Sequence, residues 1–132
     1  MKYRAAVEAL AVCRIAPGAE IPHWARDGSF TCVVRTPEEV SVVCAENIIP
    51  SQCPGVICER GWRALKLEGP FAFAMTGVLA SFIQPLAEAE VPIFAISTFD
   101  TDYVLIKTET LETALAALTA AGHENVDAHN LT

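Results

Sequence analysis

The chain has 132 residues, is 52% hydrophobic and 19% charged, and carries a net charge of −7 with a pI near 4.8. That length supports one ordinary domain or two very small ones, and the apolar balance is the reverse of a disordered segment. Nucleic acid and anionic membranes are disfavoured as partners because both require a basic footprint, and there is no run of about 18 apolar residues to span a bilayer.

Met1 to Glu8 starts positively charged, but Glu8 and Arg14 interrupt the apolar run that a signal peptide needs, so a cytoplasmic location is expected. Leu10 to Ile15, LAVCRI, has strand character and ends at Ala16-Pro17-Gly18. The segment IPHWARDG leaves room for one turn of helix, and Cys32 to Cys44 reads as strand, turn, strand. After Cys44 no helical period follows, and Pro50 and Pro54 break the segment.

Trp62 to Glu68, WRALKLE, is the next strand, punctuated by Gly69-Pro70. Thr76-Gly77 opens a helix over Val78 to Glu88, with Val78, Leu79, Phe82, Ile83 and Leu86 on one face. Pro85 inside it predicts a kink or early fraying. Ile93 to Ile96 and Tyr103 to Ile106 are strands joined by a polar knot, STFDTD. Leu111, Ala114, Leu115 and Leu118 mark a second helix, with Glu109 and Glu112 at its positive end and Gly122 as its stop. A short strand over Glu124 to Ala128 completes the order β-α-β-β-α-β, an α/β protein of the α+β, ferredoxin-like type.

The first half repeats part of this pattern. Thr36 falls on Thr98, Val42 on Val104 and Val43 on Leu105, while the interval from Pro17 to Thr36 is nine residues shorter than that from Pro70 to Thr98. The missing nine lie where the second half has its first helix. The chain therefore divides into an abridged unit, residues 1–61, and a complete unit, residues 62–132. In this topology the strand Ile93-Phe94-Ala95-Ile96 lies at a sheet edge and is apolar on both faces, which invites pairing with another edge, and a homodimer is expected.

Five cysteines, Cys13, Cys32, Cys44, Cys53 and Cys58, form no Cys-x-x-Cys pair, so no metal site is expected and they read as reduced core thiols. No Gly-x-Ser-x-Gly, phosphate-cradling glycine loop or His-Glu-x-x-His motif is present, and neither catalysis nor a cofactor is expected. Two features gather binding chemistry. The loop GPFAFAMTG runs into a helix start, where amides without internal partners attract anions and Gly77 permits close approach. Thr76 is a candidate cap or ligand contact. The knot offers Asp102 and Thr98, although aspartates at 100 and 102 also suit an ordinary turn. An anion hole facing a carboxylate fits a zwitterion such as a free amino acid.

Four elements in order, Gly69-Pro70-Phe71, Thr76-Gly77 with its helix, Val91-Pro92-Ile93 and Ser97-Thr98-Phe99-Asp100-Thr101-Asp102-Tyr103, resemble the ACT domain family. The chain is similar to small bacterial tandem-ACT proteins related to CASTOR-type arginine sensors and aspartate-kinase regulatory domains. The resemblance covers Trp62 to Ala128 well and Leu10 to Pro50 more weakly. It implies a non-enzymatic regulatory module that binds a small ligand, usually an amino acid, between paired ACT units. Carried onto this chain it implies ligand contacts at Met75, Thr76, Gly77 and Val78 on one side and Thr98, Phe99 and Asp102 on the other. The alternatives are a ligand-free dimerisation or interaction module acting on a separate protein and, third, an enzyme using a cysteine.

Overall fold

The computed structural model describes residues 1–69 and 76–127, and the chain separates into two compact units, Met1–Val7 with Arg63–Thr132, and Glu8–Trp62. In chain order the elements are β1 (Lys2–Ala5), β2 (Leu10–Ile15), β3 (Cys32–Arg35), β4 (Val40–Ala45), β5 (Val56–Leu67), α1 (Val78–Glu88), β6 (Ile93–Ser97), β7 (Asp102–Lys107), α2 (Leu111–Ala120) and β8 (Glu124–Asn125), with 3₁₀ turns at His23–Arg26, Glu46–Ile48 and Thr108–Thr110. Among the described residues no helix is long and apolar enough to cross a membrane.

The larger unit is the β-α-β-β-α-β arrangement with one strand added. β7 pairs with both β5 and β6, and β8 lies parallel to β1. β1 is the addition: its four residues, KYRA, pair antiparallel to β5 through Tyr3↔Leu67 and Ala5↔Leu65. Period-two alternation buries Tyr3 and Ala5 and exposes Lys2 and Arg4. Four residues are too few for that alternation to stand out in a sequence. WRALKLE proves to be the end of the twelve-residue strand β5, and the terminal strand is two residues long. Tyr3, Leu65, Leu67, Phe82, Leu86 and Leu118 lie at the centre of this unit's core.

Helix α1 spans Val78–Glu88 with Pro85 inside it, rather than ending at the proline. Pro85 has no N–H, so the carbonyl of Ser81, four residues back, loses its intrahelical donor. His123 replaces it: Nε2 lies 3.2 Å from the Ser81 oxygen and donates to it. That bond fixes the tautomer and leaves Nδ1 as acceptor, 2.9 Å from the Met1 nitrogen. His123 is 9% exposed, and its ring stacks edge-on against Phe82 at 5.1 Å.

Both helices end in the same hydrogen-bonded cap. At α1, Val91 N–H donates to Leu86 O and Glu90 N–H to Ala87 O; at α2, His123 N–H donates to Leu118 O and Gly122 N–H to Thr119 O. This is the Schellman pattern, which requires a left-handed residue. Gly122 meets that requirement at φ 93°, but at α1 the residue is Glu90 at φ 60°.

The smaller unit is a sheet in which β4 pairs with β3 and β2, and β2 with the start of β5. One sheet face is covered by Ala25, Trp24, Ile48 and Ile49 from the two 3₁₀ turns and the residue after the second, packed on Cys13, Val40, Val42 and Cys44. No α-helix occurs in this unit among the described residues.

Glu90→Gly relieves a left-handed Cβ and is expected to raise unfolding stability by roughly 0.5–1 kcal/mol, whereas Gly122→Ala introduces the same strain and lowers it by about 1 kcal/mol, both read from urea titrations. The Tyr3 hydroxyl is buried without a hydrogen-bond partner among the described residues, and burial pushes its pKa from 10.0 up to about 12. A tyrosine that ionises later in the folded state than in the unfolded one contributes stability that is intact below pH 10.0 and lost as pH rises toward about 12. Tyr3→Phe is expected to be neutral or stabilising at pH 7 and to flatten that alkaline decline.

Candidate functional site

The polar knot between β6 and β7 is a closed turn. Thr98 N–H donates to Thr101 O at 2.8 Å, the Thr98 hydroxyl donates to the same oxygen at 3.0 Å, and Thr101 N–H approaches Thr98 Oγ1 at 3.3 Å. At its base Ser97 and Asp102 face each other across the strands, and the Ser97 hydroxyl donates to Asp102 Oδ1 at 2.5 Å. The turn is also tied down from below. Thr101 is only 8% exposed, and its hydroxyl donates to the carbonyl of Leu67 at 2.6 Å. Leu67 is the last residue of β5, the strand that leads toward the start of α1.

The smaller unit carries a turn of the same hydrogen-bond pattern. Thr36 N–H donates to Glu39 O at 2.9 Å, its hydroxyl donates to that oxygen at 3.3 Å, and Glu39 N–H donates to Thr36 Oγ1 at 3.1 Å. Thr36 and Glu39 therefore occupy the places of Thr98 and Thr101, in the register read from the sequence. The copies differ in the fourth residue. Thr101 reaches a neighbouring strand, whereas Glu39 turns back to accept from Ser41 at 2.6 Å.

Beside the pinned turn is a hollow of ≈ 250 Å³ lined by Lys66, Glu68, Gly69, Asp100 and Thr101. Its charges are of both signs. Arg4, on β1, is ion-paired with Glu68 and holds Asp127 with both carboxylate oxygens, at 2.8 and 2.9 Å. These two carboxylates raise the Arg4 pKa, through Asp127 first and then Glu68. Among the described residues Lys66 and Asp100 make no such pair, so the hollow presents one cation and one anion.

The residues singled out from the sequence fall into two groups. Thr98, Phe99 and Asp102 share the β6–β7 turn, with Asp102 half-buried and Phe99 78% exposed. Thr76, Gly77 and Val78 stand at the start of α1. The helix cap is Gly77, at φ 76°, without a side-chain cap bond, so Thr76 does not cap α1. The first α1 bond runs from Ser81 N–H to Gly77 O, so the preceding amides of the first turn lack intrahelical partners. Val78 is half-buried and packs on the core. Met75 lies outside the described residues. Lys66, Ser97 and Thr101 were not among the expected contacts. A threonine three residues after another, with an aspartate next, is the available signal for a turn of this kind, but it does not reveal the Leu67 bond.

A ferredoxin-like sheet with two helices, in a chain whose smaller unit carries a turn of the same hydrogen-bond pattern, defines an α+β module. Residues 57–120 match the ACT domain model, and the chain belongs to the ACT domain family; residues 8–52 match a second model, described as an N-terminal domain. A crystal structure of an Agobacterium tumefaciens protein is 36% identical, covers 95% of this chain and 91% of its own, and superposes with a TM-score of 0.86. Clostridium acetobutylicum aspartate kinase shares the fold at 14% identity and a TM-score of 0.68, over 90% of this chain and 33% of the kinase. The regulatory subunit of aspartate kinase from Thermus thermophilus does so at 14% and 0.63, over 89% and 97%. The bovine cytosolic arginine sensor for mTORC1, subunit 1, is 27% identical over 97 residues, 67% of this chain. The chain spans 30% of that sensor's length and 53% of a human relative, CASTOR3P.

If the Thr101 hydroxyl holds the turn, Thr101→Val, which keeps the shape and removes the donor, leaves the Leu67 carbonyl unpaired. The expected loss is about 1–3 kcal/mol of unfolding stability, measured by chemical denaturation.

Proposed function

We propose that this chain is a non-enzymatic regulatory module that senses a free amino acid. The ligand is held where its complete ACT unit meets an ACT unit of a second copy. The single observation carrying this reading is the Thr101–Leu67 bond, which sets an acidic turn and a hollow of mixed charge at the end of the strand leading to the start of α1. The ligand carboxylate takes the first amides of α1 around Thr76, Gly77 and Val78, aided by Lys66 and by the positive end of the helix. Its ammonium group takes Asp102, through the oxygen not engaged by Ser97, and Asp100. Thr98 and Phe99 close the turn side. Relatives that include an arginine sensor and a kinase regulatory subunit support a regulatory role over catalysis, and a cytoplasmic setting accords with the cytosolic sensor.

The second reading is a module that pairs with another protein and binds no small ligand. It is favoured by β6, for which β7 is the pairing partner among the described strands, and by the exposed Phe99 ring at the adjoining turn.

Calorimetric titration with each common amino acid separates these readings. At least one is expected to bind saturably, and Asp102→Ala is expected to weaken it roughly 10- to 100-fold through loss of a charge-assisted bond, with unchanged folding by circular dichroism. Flat titrations throughout overturn the sensing role; undiminished affinity in the variant removes Asp102 from the site.

A further inference from the structure

Three of the five cysteines come together in the smaller unit. In the β2–β5 ladder Cys13 stands directly opposite Cys58. Their sulfurs are 2.9 Å apart. On its other side lies Cys44 of the adjoining strand β4, in the same core cluster. Cys13 and Cys44 are fully buried, whereas Cys58 is half-buried, and all are free thiols. Nothing in the proposed ligand site uses them, and no group of three or more ligating side chains among the described residues is arranged for a metal ion.

Opposed residues of an antiparallel ladder have Cα atoms about 4.5 or 5.5 Å apart, depending on their place in it, and both separations fall within the range that a disulfide spans. Closing the sulfur contact to a bond of about 2.05 Å moves the atoms by under about 1 Å. The strands already hold the partners in register, so no backbone rearrangement is required. Cys32 and Cys53 have no sulfur contact of this kind among the described residues.

We propose that Cys13 and Cys58 form a reversible intrachain disulfide by exchange with a low-molecular-weight disulfide such as oxidised glutathione. The half-buried Cys58 thiolate attacks one glutathione sulfur, forms a mixed disulfide and expels the other glutathione as a thiolate. Cys13 then loses its proton to water and attacks the Cys58 sulfur, expelling the second glutathione. Two protein thiols are oxidised, one glutathione disulfide is reduced to two thiols, and the two protons pass to the departing thiolates. Cys58 is the entry thiol because it is reachable, and Cys13 the resolving thiol because it is buried against it. Burial, followed by the Cys13 contact, pushes the Cys58 pKa up to about 11, so the exchange is slow at neutral pH. Its rate climbs with pH across the range 7 to 9, following the thiolate fraction. The product locks β2 to β5 and marks the chain as oxidised.

The test uses the full chain, native, incubated with oxidised glutathione at pH 7 to 9, quenched with iodoacetamide and examined by intact mass and non-reducing peptide mapping. The expected product is a monomer lighter by two hydrogens, with Cys13 joined to Cys58, returned to the starting mass by dithiothreitol. Cys58→Ser abolishes it, and Cys13→Ala arrests at a stable glutathione adduct on Cys58. If Cys13→Ala does not fold, the wild-type map alone decides. A map that joins Cys53 or Cys32 instead, or one that leaves Cys13 and Cys58 both alkylated after unfolding, overturns the proposal.

Discussion

A single buried hydrogen bond, from the Thr101 hydroxyl to the Leu67 carbonyl, gives the candidate site its geometry. Without it the β6–β7 turn keeps its Thr98 bonds and the Ser97–Asp102 bond at its base but loses this side-chain tie to β5. With it, the tip is anchored to the end of β5, and the charges on the turn acquire a fixed relation to those on that strand. Both groups are largely withdrawn from water, so the bond is costly to leave unmade. The constraint passes to β1 as well, because Arg4 holds Glu68 next to Leu67 and so keeps one carboxylate of the hollow neutralised.

The two units of the chain carry turns with the same hydrogen-bond pattern in different surroundings. Thr36 and Thr98 make corresponding bonds to their own turns, so the local chemistry of both copies is intact. What differs is the reach of the fourth residue: a threonine that bonds outward in one, a glutamate that folds back in the other. A hydroxyl is short and needs a close partner, and the larger unit supplies one in β5. The smaller unit, covered by short 3₁₀ turns instead of α-helices, keeps the hairpin as a self-contained corner.

Much of this is legible in the sequence. The bounds of α1 follow from apolar spacing and the Thr-Gly start, and the hairpins from apolar runs flanking polar turns. The equivalence of Thr36 and Thr98 follows from aligning those turns. Other features were hidden for definable reasons. β1 is four residues long and pairs with residues sixty or more positions away, so its pattern carries little local information. Leu67 as the acceptor for Thr101 is a tertiary fact with no periodic trace. Thr76 reads as a cap by residue type, but Gly77 takes that place because the backbone there is left-handed. Cys13 and Cys58 look like separate core thiols until the register sets them opposite each other.

His123 illustrates the same point and extends it. Among residues near the end of the chain it carries no recognisable motif, yet it supplies the donor that Pro85 withholds from Ser81. Proline and histidine therefore form one unit of sequence change, though thirty-eight positions separate them. Replacing the proline would restore a competing amide to the same carbonyl, and replacing the histidine would orphan an oxygen inside a helix. Across descendants of this chain, the two positions should drift as a pair.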